Sequence, residues 1–445
     1  MYSFDVFDTL ITRKTAVPDG IFAVMQSELG KEEYNAIPAS IRNNFYRLRI
    51  VAEKLARASY QNGETEDVTL AQIYDAFAIR GELTVMQREQ LIRLECDVEY
   101  RECVPIEKNV MQVKKILSDG EKVLLISDMY LPKEQIYKML SKADPVLGKL
   151  QLYVSGDCKK RKRTGAIYRF AMEQSCFIGA ECVHTGDNEK MDVAAAEKEG
   201  FHTRLSWFPR LLPIEKILLD QTPGDIWLNR VIGCSRRARL NLGEEMAKRD
   251  DVLSGTSVGG ILLNSYVQWV LRRALARGIR RLYFTATDGY VLKRVVDIQI
   301  QKMGLAVETH YCRGTEYTLG DSDAVVALSE RCGGWQSFSD CYKGCFQIFL
   351  FSLDRLTTAD QCHYFVFYPG RIGEGDILKQ LCAYSEKRKD YLAGIEAYTN
   401  LFCEDGRMVA QLEDVEQISR ILAYMTEREE TFEKRTFNIG NYSKL

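Results

Sequence analysis

The stretch Ser3–Arg13, SFDVFDTLITR, places two carboxylates, Asp5 and Asp8, three positions apart at the end of a short apolar run. Residues 2–7 read as a short strand. An acid at a strand end is commonplace as a turn former. It becomes part of a site only when other strands aim polar groups at the same end, so the rest of the chain decides what Asp5 is for.

Three later segments do this. KVLLIS (Lys122–Ser127) ends on a hydroxyl, LQLYVS (Leu150–Ser155) runs into the basic loop KKRKR at Lys159–Arg163, and CVHTGD (Cys182–Asp187) ends on a second acid, with Asp192 close behind. Between and after them, apolar periodicity predicts helices over Ile106–Ser118, Lys133–Ser141, Gly165–Gln174 and Lys190–Glu199, and HTRLSW is a last strand. Apolar strands alternating with helices predict a parallel sheet covered on both faces. In such a sheet ligands bind beyond the carboxyl ends of the strands. An acid, a hydroxyl, a cation and a second acid would then share one crevice. Each has a plainer reading alone. Ser127-Asp128 can cap the helix near Pro132–Leu140, Gly186–Asn188 can be a turn, and most of the basic run is a solvated loop.

From Pro18 to about Glu102 the pattern is helical. Pro18 suits a first turn and Gly30 a helix end. Ile41, Phe45, Leu48, Ala52 and Leu55 fall on one predicted face. Thr69 and Gln72 form a capping-box pair, with Gly81 as the stop. The expectation is a core domain made of 1–13 and 105–208, carrying a helical cap at 14–104 that acts as a lid. A proline-richer boundary at Pro209–Pro223 precedes a second, mixed α/β domain at 225–445. There, a helix over Val258–Arg277, strand RRLYFTAT, a helix over Tyr290–Met303, strand VETHYC, the apolar run CHYFVFYPG and helical stretches at Asp376–Leu401 and Leu412–Glu430 are expected. Asp288, at a strand–turn–helix junction, and Arg313, after VETHYC, mark a candidate second site. Cys362 and His363 are adjacent on a strand and face opposite ways, which excludes a direct nucleophile–base pair.

Composition narrows the function classes. The 445 residues suit two or three domains, and a net charge of −2 argues against a nucleic-acid groove. Thirteen cysteines without a CxxC pair argue against zinc and fit a reducing cytoplasm. With DVFD beginning at residue 5, no signal peptide is expected. The apolar run Val258–Leu275 is interrupted by Asn264, Ser265 and Gln268, which predicts a buried helix and no integral membrane segment.

FDVFDTL, VLLISDMYLP, KRTGAIY and HTGDNEKMD together resemble the haloacid dehalogenase-like (HAD-like) superfamily of phosphatases and phosphotransferases, over residues 1–205. SDMYLP and the later YFTATDGYVLKRV resemble a narrower group of large bacterial members associated with surface-polysaccharide biosynthesis. That group usually reads RDG where this chain has Thr287-Asp288-Gly289. The resemblance implies a Rossmann-like parallel sheet with a helical cap inserted after the first strand. It implies Asp5 as nucleophile on a small phosphorylated substrate, such as a sugar phosphate. Mg²⁺ would be held by Asp5, Asp187 and the Phe7 carbonyl, with Asp192 as a ligand or a supporting acid. Ser127 would bond a phosphoryl oxygen. Lys162, favoured over Lys159 and Lys160 by its spacing before Thr-Gly, would neutralise charge.

The chain departs from the family at Phe7, where its phosphatases carry the acid that protonates the leaving group. Asp8 stands one position further on and is the other catalytic candidate. General acid–base help contributes roughly 10²–10⁴-fold. Its loss implies a slow hydrolase, a reactive leaving group, a persistent phospho-aspartate, or a non-catalytic binding or scaffold module in polysaccharide assembly. Dehalogenases of the superfamily also lack that acid but need no metal. GDNEKMD keeps two acids spaced for one, which ranks phosphoryl chemistry first.

Overall fold

Seven strands organise residues 1–208 in the computed structural model, which describes residues 1–60, 65–78, 83–285, 289–312, 322–329, 346–351, 363–367 and 389–404. They are β1 (Tyr2–Phe4), β2 (Ile11–Arg13), β3 (Cys103–Pro105), β4 (Val123–Ser127), β5 (Gln151–Val154), β6 (Val183–Gly186) and β7 (His202–Leu205). Five of them form one parallel sheet in the order β5-β4-β1-β6-β7. The class is the expected one, a parallel α/β Rossmann-like sheet with long helical segments. Alternation along β4 shows why its run is continuously apolar. Val123 and Leu125 enter the core on one face, Leu124 and Ile126 the core on the other. The chain divides into two compact units, Met1–Phe208 with Pro223–Asn229, and Pro209–Thr222 with Arg230–Leu445.

The helical segment after β1 contains Gly20–Glu28, Phe45–Tyr60, Leu70–Ala78 and Val85–Glu102. Thr69 and Gln72 bond reciprocally, Thr69 N to Gln72 Oε1 at 2.9 Å and Gln72 N to Thr69 Oγ1 at 3.3 Å. The apolar stripe is rotated from the expected one. Phe45, Arg49, Ala52 and Ala56 are buried, while Leu55 is 42 % exposed. The reason is Arg49, a charged residue on the buried face. Its guanidinium pairs with Glu95 at 2.8 and 2.7 Å and lies 4.5 Å from the Phe22 ring and 4.9 Å from the Tyr130 ring. Ile41 belongs to a separate short helix, Ala39–Arg42. β2 and β3 pair antiparallel, Arg13 opposite Cys103, and close the stem of this segment. At three residues each they are too short to show alternation, and the sequence gives no sign of them.

The second unit is built on a second all-parallel sheet. Its strands are β8 (Arg281–Thr285), β9 (Glu308–Cys312), β10 (Asp323–Ser329), β11 (Phe346–Phe351) and β12 (His363–Phe367), in the order β12-β11-β10-β8-β9. β10 and β11 were not among the expected strands. Helices Gly260–Ala276, Gly289–Met303 and Lys389–Glu404 accompany them. Gly260–Ala276 is buried nearly all round, and its polar Asn264 receives Gln299 Nε2 on Oδ1 at 3.1 Å. Among the described residues no helix is long and apolar enough to cross a membrane. Asp288, Arg313, Cys362, Gly81, the first part of the stretch Asp376–Leu401 and all of Leu412–Glu430 lie outside the described residues. Of His363 only its strand backbone is described.

Candidate active site

The site begins where β1 ends. Asp5 N still donates to Thr185 O on β6 at 2.8 Å, so the backbone at Asp5 is fixed to the sheet. The chain then folds into a tight loop, with Leu10 N and Ile11 N donating to Val6 O and Asp8 N to Ile11 O. This loop needs a left-handed residue at Asp8, φ 58°, a conformation aspartate tolerates. The Asp8 carboxylate accepts Thr12 Oγ1 at 2.7 Å. Phe7 turns towards the stem of the helical segment. Its ring lies 4.5 Å from the Arg13 guanidinium, which is held by both Glu99 oxygens at 2.9 and 2.8 Å.

Lys162 comes from the loop after β5 and is 2 % exposed. Its Nζ bonds Asp5 and also Asp192 Oδ1, the latter at 2.6 Å. Its backbone N–H is held by Asp128, the residue after β4, at 2.9 and 3.2 Å. Asp192 is fixed from two further sides, one of them through a relay. His184 Nε2 lies 3.3 Å from Oδ1, Asn188 N donates to Oδ2 at 3.0 Å, and Ser3 Oγ holds His184 Nδ1 at 2.8 Å. A side chain on Gly186 would overlap the Asp192 carboxylate, so the glycine of the Gly-Asp pair makes room for the second acid. The helix that follows opens as a wide π turn, Glu189–Ala194, capped by Asn188. Such turns recur at functional sites.

Oxygens of Asp5, Asp187 and Asp192 lie within 4.8 Å of one another. Crowding three acids in a buried place has a cost that their proton affinities record. Burial, with Asp192 and Asp187 nearby, pushes Asp5 up to about 8 in spite of Lys162. Burial also pushes Asp192 upwards, but Lys162 and His184 outweigh it and hold Asp192 well below the usual carboxylate range. Burial pulls Lys162 down, yet Asp192 and Asp5 outweigh it and keep the ammonium charged. Burial lowers His184 and favours its neutral ring.

The donor set has only carboxylate oxygens, the chemistry of a hard divalent cation such as Mg²⁺. Both Asp192 oxygens already accept protein donors, which makes it chiefly the partner of Lys162. With Asp5 and the half-buried Asp187 it makes up the three-acid cluster.

Of the residues singled out in the sequence, Asp5, Lys162, Asp187 and Asp192 come together. Ser127 ends β4, the neighbour of β1, and is 1 % exposed. The competing lysines lead elsewhere, Lys159 Nζ to Gln72 Oε1 at 3.4 Å and Lys160 to the Phe170 ring at 6.0 Å. His184 and Ser3 gave no sequence signal, since both sit mid-strand in apolar company. Asp128 was visible only as a helix cap.

No protein-family model matches the chain, and no curated protein is similar to it. Solved structures similar to it include hydrolases of the HAD type. A 2-haloacid dehalogenase from Pseudomonas syringae pv. Tomato is 17 % identical, covers 48 % of this chain and 91 % of its own, and gives a TM-score of 0.33. A HAD phosphatase from Thermococcus onnurineus is 17 % identical over 45 % of this chain and 83 % of its own, TM-score 0.31. A HAD-family enzyme from Bacteroides thetaiotaomicron is 15 % identical over 46 % and 92 %, TM-score 0.32. At scores this low, strand order and side chains define the fold, not the likeness.

Proposed function

We propose that the protein is a Mg²⁺-dependent phosphatase or phosphotransferase working through an aspartyl-phosphate on a small phosphorylated metabolite, a sugar phosphate being the class the family resemblance suggests. One observation carries this reading: a buried lysine clamps Asp5 against Asp192 while Asp187 closes a three-acid cluster. Asp5 attacks phosphorus, and the bond to the leaving oxygen breaks as the Asp5–phosphorus bond forms. Lys162 is placed to follow negative charge onto the phosphoryl oxygens. Ser127 donates to one of those oxygens; no hydrogen bond of its side chain is found among the described residues. Asp5, Asp187 and the Phe7 carbonyl would hold the metal, with Asp192 in support. When bound there, Mg²⁺ supplies the charge neutralisation that lets an anion approach a phosphate dianion. Water or an acceptor hydroxyl then takes the phosphoryl group and frees Asp5. Proton transfer falls to Asp8, the other acid of the loop. The test is turnover of a generic aryl phosphate with Mg²⁺ by the wild type and by Asp5→Asn. Loss of turnover in Asp5→Asn is expected.

Phe7 favours a second reading, a catalytically degenerate module that binds or scaffolds in polysaccharide assembly. Equal background from both proteins would select it. A catalytic centre at Asp288 and Arg313 would instead lose turnover on Asp288→Ala and keep it in Asp5→Asn.

A further inference from the structure

The basic run Lys159–Arg163 is held by the helical segment, not merely covered by it. Residues 65–69, just ahead of helix Leu70–Ala78, lie against both loops that carry the site. Glu66 Oε2 accepts the backbone N–H of Arg161 at 2.8 Å and Thr164 Oγ1 at 2.6 Å. Glu66 N donates to Lys159 O at 3.1 Å. Three bonds from one residue thus bracket Lys162 on both sides. Asp67, 1 % exposed, accepts Ser155 Oγ at 2.6 Å, and Ser155 Oγ accepts Met129 N at 2.8 Å. Leu70 N donates to Tyr130 O at 2.8 Å. A side chain on Gly156 would meet Met129 O at 2.8 Å and Val68 O at 3.1 Å, so the three strands of chain are in direct apposition.

We propose that Glu66 and Asp67 are positioning residues: they set the backbone from which Lys162 reaches Asp5, so the inserted segment is a working part of the site. This rests on the reading of Lys162 as a catalytic cation. The physical case is one of leverage. Lys162 must satisfy two acids through a long flexible side chain, and beyond the short helix Ser155–Cys158 its loop has only a single 3₁₀ turn, Lys162–Thr164. The loop backbone is pinned by Asp128 from the β4 side and by Glu66 from the inserted segment, at successive N–H groups. A displacement of about 1 Å at a catalytic group can cost on the order of 10²-fold in rate.

Glu66→Ala removes the acceptor of both the Arg161 N–H and the Thr164 hydroxyl. Glu66→Gln keeps an acceptor oxygen. With aryl phosphate and Mg²⁺, Glu66→Ala is expected to lower kcat on the order of 10²-fold, with KM changed by less than about threefold, and Glu66→Gln to restore most of it. In a Lys162→Met background Glu66→Ala should cost nothing more, because its effect runs through Lys162. Amide exchange followed by mass spectrometry gives a readout without activity. Peptides over 159–165 should exchange at least about tenfold faster in Glu66→Ala, with β1, β4 and β6 unchanged. Unaltered exchange in Glu66→Ala, or a full additional loss in the Lys162→Met background, overturns the proposal. Faster exchange in a protein that shows no turnover even as wild type would overturn the phosphatase reading and leave the backbone clamp standing.

Discussion

Lys162→Met makes opposite demands on stability and on metal binding. The ammonium is buried between Asp5 and Asp192, and removing one member of a buried charge pair costs roughly 3–5 kcal/mol. Asp192 keeps His184 and the Asn188 N–H, so its share of the loss is small. Asp5 carries the rest only where it is ionised, towards and above about pH 8, and at lower pH it escapes by holding its proton. Its carboxyl is already pushed up to about 8 with Lys162 present, and loses its largest opposing influence without it. The sign follows. An acid whose folded value is raised is uncharged in the folded state while the unfolded chain is ionised above about pH 4. Stability therefore falls as pH rises from there towards the folded value, by up to about 1.4 kcal/mol per pH unit. In the variant this decline should continue further into the alkaline range. About 3 kcal/mol corresponds to a drop in Tm of roughly 6–12 °C for a unit of this size. Mg²⁺ reverses the picture, because the variant no longer sets an ammonium against the cation. Added Mg²⁺ should raise Tm more in Lys162→Met than in wild type. The assay is thermal unfolding at pH 6 and pH 8 in EDTA and in excess Mg²⁺. Equal Mg²⁺ shifts in both proteins, or a loss independent of pH, would refute the reasoning.

Three other outcomes can be checked. If Asp5 holds a proton in the metal-free protein, Mg²⁺ binding near pH 7 should release close to one proton, seen as a dependence of calorimetric heat on buffer ionisation enthalpy; no dependence counts against it. Phe7→Asp should raise aryl phosphatase turnover, by less than the roughly 10²–10⁴-fold of ordinary acid–base help, since Arg13 will compete for the new carboxylate. Arg49→Met alone should cost roughly 3–5 kcal/mol in a urea titration by stranding Glu95, and adding Glu95→Leu should recover much of it.

How much of this could be seen beforehand depended on what each element buries. The strands around Leu125, Leu152 and Val183 were legible because a sheet covered on both faces needs apolar residues at every position. The site was legible because polar residues end those same strands. The stem β2–β3 was not, since three residues carry no periodicity. The Phe45–Tyr60 face was misread because burial of Arg49 depends on Glu95, a partner some forty-six positions away, which no local pattern reveals. His184 and Glu66 act with neighbours remote in sequence, and only the folded chain brings Ser3 and Arg161 to them.

β1 sits in the middle of its sheet, with Tyr2 paired to Val123 on one side and to Val183 on the other. On the ribosome that strand emerges long before either neighbour exists. At synthesis rates of about 5–20 residues per second, it waits roughly 10–40 s for the second one. Until β4 is made the segment bearing Asp5 is an unpaired apolar ribbon, and until β6 is made one of its edges stays open. Nascent chains stalled before residue 180 should therefore engage chaperones through their first dozen residues, while the helices of the inserted segment are already able to pack on one another.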